Sequence, residues 1–450
     1  MGKYFGTDGI RGKSNQGLMS PDFLLKVARS LGVTLKKSKH RPKVLVGKDT
    51  RISGYMIEGA IAAGLCSVGV DVFFVGPLPT PGVAYLTKGM RADAGIMISA
   101  SHNPYDDNGV KLFNSNGFKF SDFQEKEMED FIDNHVMSEE WNVSPKELGK
   151  AKRLNDAVGQ YSVYLKEQFS KSLQLDGMKI VIDCGNGASY RVAPIVFRDL
   201  GADVVTIHDQ PNGFNINENS GALHPQKLME CVLQEKADIG FAYDGDADRI
   251  VVVDNKGQVL DGDCLIAICS IYLKSQHKLK KNKICATIMS NMGLDIALKN
   301  FGIDVYRADV GDRKVVDQMI KSGMNFGGEN SGHIIYLDSA TTGDGILTSL
   351  KLLENIIHSG KSLSDLSNVM IKFPQLNKNI PVHKKISLEN LTKTHKLIKE
   401  IEKKLLNKGR LIVRYSGTEN LLRLTLEGEN KDLLNEYIHE LEAQVLEELN

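Results

Sequence analysis

Three carboxylates alternate over five residues in Asp244-Gly-Asp-Ala-Asp-Arg249, between the apolar runs Ile239-Gly-Phe-Ala242 and Ile250-Val-Val-Val253. Like charges this close repel, and a divalent cation with oxygen ligands relieves the repulsion. An EF-hand is excluded, because the sixth loop position is Arg249 rather than Gly and the twelfth is Asn255 rather than Glu. A solvated acidic turn is the plain alternative, and flanking strands of the buried kind argue against it. No His or Cys adjoins the loop, so its donors favour Mg2+ over a transition metal. A second group is Ser99-Ala-Ser-His-Asn-Pro104, entered directly from Gly95-Ile-Met-Ile98. Pro104 biases Asn103 away from helix, so this is a loop at a strand end, where open α/β sheets bind ligands. Ser101, beside His102, is a candidate nucleophile there; taken alone, Ser, Asn and Pro also make an ordinary turn.

Three further segments concentrate polar groups. In Gly327-Gly-Glu-Asn-Ser-Gly-His333, the alternating Glu329, Ser331 and His333 would point one way in an extended segment and would suit sugar hydroxyls. A polar turn with a surface His reads equally well. Arg414-Tyr-Ser-Gly-Thr-Glu419, with Arg423 beyond it, offers guanidinium, hydroxyl and Gly amide donors to a phosphate, against a hairpin turn with a surface Arg. Phe5-Gly-Thr-Asp-Gly-Ile-Arg-Gly12 is unusually glycine-dense for a free terminus, and with Arg11 it implies folding against something anionic. A P-loop motif is missing, Gly185-Asn-Gly-Ala-Ser-Tyr190 lacks the third Gly of a dinucleotide fingerprint, and no nucleophile elbow surrounds Ser101.

Such loops need strands to hold them. Lys43-Val-Leu-Val-Gly47 leads into Lys48-Asp-Thr-Arg51, Lys179-Ile-Val-Ile-Asp183 into Cys184-Gly-Asn-Gly187, and Cys285-Ala-Thr-Ile-Met289 into Ser290-Asn-Met-Gly293. Strand, loop and helical periodicity in that order make the unit of a mostly parallel sheet. Its appearance in three separated regions predicts three related α/β domains with mixed, mostly parallel sheets. The remainder, ending in an amphipathic helix over Lys431 to Leu449, predicts a smaller C-terminal α+β domain. Polar or turn-forming stretches at Ser138 to Arg153, Asp254 to Gly257 and Phe373 to Pro381 set the expected boundaries: 1–152, 153–254, 255–370 and 371–450. With no long flexible linker, the domains are expected to pack around a central cleft.

Composition narrows the function. Over 450 residues, 56 Lys and Arg balance 56 Asp and Glu, which argues against nucleic-acid or anionic-membrane binding. No run of ~18 apolar residues would span a membrane. The N-terminus lacks an apolar signal core, and none of the six cysteines (66, 184, 231, 264, 269 and 285) forms a C-x-x-C pair. Both point to free thiols in a reducing cytoplasm.

The segments F-G-T-D-G-I-R-G, S-A-S-H-N-P, D-G-D-A-D-R, G-E-N-S-G-H and R-Y-S-G-T-E, in this order across nearly the whole chain, resemble the α-D-phosphohexomutase family. Ser99 to Tyr105 followed by Asp107-Asn-Gly-Val-Lys111 looks like the bacterial branch acting on amino-sugar phosphates; the mannose and glucose branches tend to carry Thr-Gly-Ser-His-Asn-Pro-Pro. The resemblance implies an isomerase interconverting glucosamine 6-phosphate and glucosamine 1-phosphate through a phosphoserine enzyme and a 1,6-bisphosphate, feeding cell-wall precursor synthesis. Mannose or glucose phosphates are the alternative substrates. It implies Ser101 as the phosphoserine, Asp244, Asp246 and Asp248 as ligands with it of one Mg2+ per subunit, and Lys111 and His333 in acid–base work. Arg249 and Arg11 would sit near the transferring phosphate, and Glu329 and Ser331 on the sugar. Arg414, Ser416, Gly417, Thr418 and Arg423 would hold the non-reacting phosphate. The resemblance further implies a kinase or bisphosphate to prime Ser101, and allows a homodimer. A non-catalytic sugar-phosphate-binding protein would have lost Ser101 or one of the aspartates, and all are retained. Asn330, Asp309, Tyr415 and Asn420 depart from the commoner family residues; the first two adjoin the sugar-reading loops.

Overall fold

The computed structural model describes residues 2–36, 40–406, 408–416 and 420–449. The first sheet contains β1 (Ile10–Lys13), β2 (Lys43–Lys48), β3 (Asp71–Pro77), β4 (Ala94–Ile98), β5 (Asp107–Asn114) and β6 (Ala151–Arg153), in the order β1-β5-β4-β2-β3-β6. Strands β4, β2, β3 and β6 run parallel, and β5 is antiparallel to both β1 and β4. All of β4 is buried, which is why it reads as an unbroken apolar run. The helix Pro21–Leu35 starts with Ser20 accepting from the Phe23 amide and with proline in the first turn. It buries Leu24 and Leu31 with Ile57 and Ile61 of the helix Ser53–Ser67 in one core with Val44, Val46 and Ile96. Burying each such side chain stabilises the fold by about 1.5–3 kcal/mol. The polar stretch after Ser138 is not wholly irregular: it closes by adding β6, whose side chains are all exposed, to the sheet edge.

The second sheet, order β11-β10-β9-β7-β8, contains β7 (Lys179–Asp183), β8 (Asp203–Ile207), β9 (Ile239–Tyr243), β10 (Ile250–Asp254) and β11 (Val259–Leu260). The turn at Asp254 to Gly257 returns the chain to this sheet as β11. The third sheet, order β13-β12-β14-β15, contains β12 (Lys283–Thr287), β13 (Asp304–Ala308), β14 (Phe326–Gly328) and β15 (Ile334–Tyr336). The last sheet, β16 (Gln375–Pro381), β17 (Gly409–Tyr415) and β18 (Leu421–Gly428), is antiparallel in the order β16-β18-β17. Against it pack the helix Thr392–Lys404 and the expected amphipathic helix Lys431–Leu449, which buries Leu434, Tyr437, Ile438, Leu441 and Val445 at helical spacing.

The chain forms two compact units, Met1–Met289 with Ile303–Asn368, and Ser290–Gly302 with Val369–Asn450. The helix Met292–Lys299 therefore belongs with the C-terminal strands, although it joins β12 to β13 in sequence. Asn291 Nδ2 donates to the Phe373 carbonyl (3.0 Å), the Met292 amide to Glu427 (2.7 Å), and Arg410 to the Ser290 carbonyl (2.7 Å). No helix among the described residues is long and apolar enough to cross a membrane.

Candidate active site

Strand ends of the first unit bring together most of the residues singled out in the sequence. The chain leaves β4 into the Ser101 loop, and Ser101 takes a left-handed backbone, φ 53°. Its Oγ donates to Asp244 Oδ2 at 2.7 Å, and its amide donates to Ser99 Oγ at 2.9 Å. Asp244, Asp246 and Asp248 sit between β9 and β10, all buried, with ligand-capable oxygens within 4.8 Å of one another. Thr80 donates its backbone amide to the Asp246 carbonyl at 2.9 Å and its hydroxyl to the Asp246 carboxylate.

Lys111, on β5, is 1% exposed and reaches Asp246 (2.8 Å), Asp248 (3.2 Å) and Asp8 (3.2 Å). Burial alone would lower its pKa; these carboxylates outweigh burial and hold the ammonium well above its ordinary range. The aspartates diverge. Burial, with Asp248 and Asp246 nearby, pushes Asp244 well up. Against the same burial, Lys111 and His333 hold Asp248 well down. Oδ1 of Asp246 and Oδ1 of Asp248 are buried without a hydrogen-bond donor. Three oxygen-only ligands, two orphaned oxygens and the adjoining Ser101 hydroxyl fit a hard divalent cation such as Mg2+.

Around this core, Arg249 Nη1 donates to His102 Nδ1 at 3.0 Å. Burial, then Arg249 and Arg11, push His102 down to about 4, so its ring is neutral at pH 7 and can accept. Arg11 lies on β1 and pairs with Asp8. The anionic group facing the N-terminal segment is thus in part its own Asp8, which also pairs with Lys111 and Lys119. Lys119 bridges Asp8 to Asp312, and Asp312 lies 3.6 Å from His333 Nε2.

Of the two shapes open to Glu329, Ser331 and His333, the structure takes the turn and not the extended row. The segment is the tight turn between β14 and β15, closed by the Glu329 amide on the His333 carbonyl and the Gly332 amide on the Glu329 carbonyl (both 3.0 Å). Gly332 at φ 87° permits the reversal. Ser331 donates to Glu329 (3.3 Å), and the Gly311 amide donates to the same carboxylate (3.2 Å). His333 is buried rather than on the surface; its Nδ1 lies 3.6 Å from Asp248, and its Nε2 accepts from the Gly343 amide at 2.9 Å.

The remaining candidates lie in the C-terminal unit. Arg414 on β17 and Arg423 on β18 are directly opposed across the antiparallel pair. Two guanidinium forks side by side offer the paired donors that a phosphate accepts from. The Ser416 amide bonds the Leu421 carbonyl (2.8 Å), and Lys385, absent from the sequence reading, donates to the Ser416 carbonyl at 2.7 Å. Gly417 and Thr418 lie outside the described residues. The sequence reading also passed over Asp8, Lys119 and Asp312. Asp8 stood inside a quoted motif, while nothing local marks Lys119 or Asp312.

A strand-end serine in hydrogen-bond contact with a carboxylate trio, beside buried Lys111 and half-buried Arg11 and Arg249, is the constellation of a phosphosugar mutase. Models of the phosphoglucomutase/phosphomannomutase family match the chain throughout: alpha/beta/alpha domain I at residues 2–138, domain II at 159–257, domain III at 261–373, and the C-terminal domain at 377–444. The chain belongs to this family. Among its relatives is the phosphoglucosamine mutase of Syntrophus aciditrophicus, 47% identical over 451 residues and covering 100% of both chains. The phosphoglucosamine mutase of Geobacter metallireducens is 49% identical over 431 residues, covering 96% of this chain and 95% of that one.

Solved structures share the fold. A phosphoglucomutase/phosphomannomutase family protein from Burkholderia thailandensis has TM-score 0.81 at 23% identity, covering 98% and 96% of the two chains. The N-acetylphosphoglucosamine mutase of Aspergillus fumigatus, solved with GlcNAc-6P and magnesium, has TM-score 0.65 at 16% identity, covering 99% and 96%.

Proposed function

We propose that this chain interconverts glucosamine 6-phosphate and glucosamine 1-phosphate through phosphoserine at Ser101 and a bound 1,6-bisphosphate. The observation that carries the reading is the Ser101 hydroxyl, held 2.7 Å from Asp244 inside a buried carboxylate trio. Relatives named phosphoglucosamine mutase at 47–49% identity over nearly the full chain support the amino-sugar substrate.

In one half-reaction the bond between phosphorus and Ser101 Oγ breaks as the sugar C1 hydroxyl oxygen bonds to phosphorus. The hydroxyl proton leaves to a base, and Oγ regains one. In the other half, Oγ gives up its proton as it bonds to the second phosphorus, the bond from that phosphorus to the C6 oxygen breaks, and the C6 oxygen takes a proton. Lys111 and His333, both buried beside the carboxylates, are the groups of this site assigned to those proton movements. Arg249 and Arg11 balance the charge of the phosphoryl oxygens. Glu329 and Ser331 bind sugar hydroxyls, and Arg414, Ser416, Gly417, Thr418 and Arg423 grip the phosphate that does not react. Asp244, Asp246, Asp248 and the Ser101 oxygen would hold one Mg2+ per subunit, which would supply further positive charge to the transferring group. A kinase or a sugar bisphosphate primes Ser101, and the reaction is placed in the cytoplasm.

A coupled assay of glucosamine, glucose and mannose 6-phosphates at matched concentrations tests the reading. The highest kcat/KM is expected with glucosamine 6-phosphate. A higher value with mannose or glucose phosphate would make the chain a phosphomannomutase or phosphoglucomutase of the same family.

A further inference from the structure

We infer that Arg51 and Asn217 are positioning residues that set the rate of phosphoryl transfer by fixing the backbone of the Ser101 loop; the inference rests on the reading of Ser101 as the phosphate carrier. A left-handed backbone is sparsely populated by residues with a Cβ, and it persists only where the surroundings over-determine it. Ser101 adopts it at φ 53°, and its surroundings are unusually explicit.

Arg51 follows β2 and is fully buried. Its Nη2 donates to the carbonyls of Ser101 (2.9 Å) and Asn103 (2.8 Å), and its Nη1 to those of Pro104 and Asp107. Nε donates to Asp49 at 2.8 Å, so all five guanidinium protons are spent on the loop and one carboxylate. Asp49 also accepts from Ser99 Oγ (2.7 Å), the oxygen that receives the Ser101 amide.

From the second sheet, Asn217 stands in the connection between β8 and β9. Its Nδ2 donates to the same Ser101 and Asn103 carbonyls at 2.9 and 3.1 Å. Its own backbone, at φ 58°, is tied by its amide to the Gly185 carbonyl at 2.9 Å. Gly245 makes room: a Cβ there would stand 2.5 Å from the Ser101 carbonyl oxygen and 2.8 Å from Asn217 Nδ2.

Neither side chain is bonded to Ser101 Oγ. Both grip the carbonyl side of the loop, which leaves the hydroxyl aimed at Asp244. A device of this kind does not bind sugar; it holds the phosphoryl donor in line. Transfer rates fall steeply with small misplacement of the reacting atom, whereas ground-state binding through other contacts does not. Its loss is therefore read in kcat at unchanged KM.

The test compares wild type, Asn217→Gly, Asn217→Asp and Arg51→Lys. Glycine accepts φ 58° and deletes only the amide; aspartate keeps the shape but turns a donor into an acceptor. For both Asn217 variants the expected kcat on glucosamine 6-phosphate is about tenfold to a hundredfold lower, with KM within about twofold; melting temperature stays close to wild type for Asn217→Gly, while Asn217→Asp, whose carboxylate meets two carbonyl oxygens, melts lower. The 31P resonance of the Ser101 phosphate should broaden or shift. Should Arg51→Lys not fold, the Asn217 variants decide alone. Unchanged kcat and 31P signal in both would overturn the clamp, and so would a rise in KM matching the fall in kcat. A wild-type chain that takes no phosphate on Ser101 from a hexose 1,6-bisphosphate would instead overturn the reading of Ser101, and the clamp with it.

Discussion

Around Ser101 the charges are buried or half-buried and mutually paired: Lys111 among three carboxylates, Lys119 between Asp8 and Asp312, Arg249 beside Asp248 at 3.9 Å. In the C-terminal hairpin, cations of the same sign face each other, with Arg414 opposite Arg423 at half-buried positions. The first arrangement holds its own counter-ions and spends its structure on geometry. The second sets two guanidinium forks side by side, donors of the kind that grip a phosphate. A tightly tied region around the reacting serine should govern the chemical step, and the paired guanidinium forks of the hairpin should govern affinity.

The largest effect expected of that contrast is at Ser101. Ser101→Ala should lower turnover on the order of a thousandfold or more, because the carrier oxygen is gone. Intact-mass measurement should then show no added phosphate, while circular dichroism stays native. Phosphate mapped to Ser99 in the wild type would sink the assignment. Next comes the carboxylate trio: excess chelator should cut turnover about a hundredfold, with recovery on adding Mg2+. Full activity in chelator would mean that Lys111 alone neutralises the aspartates.

The hairpin should respond differently. Arg414→Lys keeps the charge but loses the planar fork, which for a charged contact costs about 1.5–3 kcal/mol. KM should rise roughly tenfold to a hundredfold while kcat moves little. A kcat loss without a KM change would erase the contrast between the two regions.

The smallest effect is on stability. Asp344 caps the helix Gly345–Ser359 through the Leu347 amide (2.9 Å) and accepts from the Tyr161 hydroxyl (2.6 Å). Burial pushes its carboxyl up to about 6, against an ordinary 3.8. The folded state thus binds this proton more tightly than the unfolded chain does. The stabilisation is complete below about pH 3.8 and is lost as pH rises through about 6, amounting to ~3 kcal/mol at most. Asp344→Asn keeps the acceptor for the Leu347 amide, faces Tyr161 with an NH2 that donates to the phenol oxygen, and does not titrate, so its urea midpoint should fall less than that of wild type between pH 4 and pH 7. Parallel pH profiles would refute this.

What local pattern can encode was visible in the chain: the buried strands, the strand-end loops of Ser101 and Asp244, and the amphipathic final helix. The shape of the Glu329 loop stays open in the sequence because alternation and a glycine-rich turn are compatible with the same residues. Gly332 and the pairing of β14 with β15 decide between them. Lys119 joins residues 111 and 193 positions away, and Asn217 lies 116 from Ser101; no window of sequence contains such partnerships. Arg51 sat in a quoted loop, but its role depends on four carbonyls that side-chain identity does not reveal.

The placement of Ser290–Gly302 bears on how this protein can be cut and recombined. The chain passes between its two units three times, after Met289, after Gly302 and after Asn368. A fragment starting at residue 369 would lack the helix that buries Leu294 and Leu298 and caps Glu427 with the Met292 amide. A fragment ending at residue 368 would carry that helix with no surface to cover it. The C-terminal unit is therefore not a detachable cassette. A graft from a related mutase should bring both pieces together, and a chimera with a single junction near residue 370 should be the less stable hybrid.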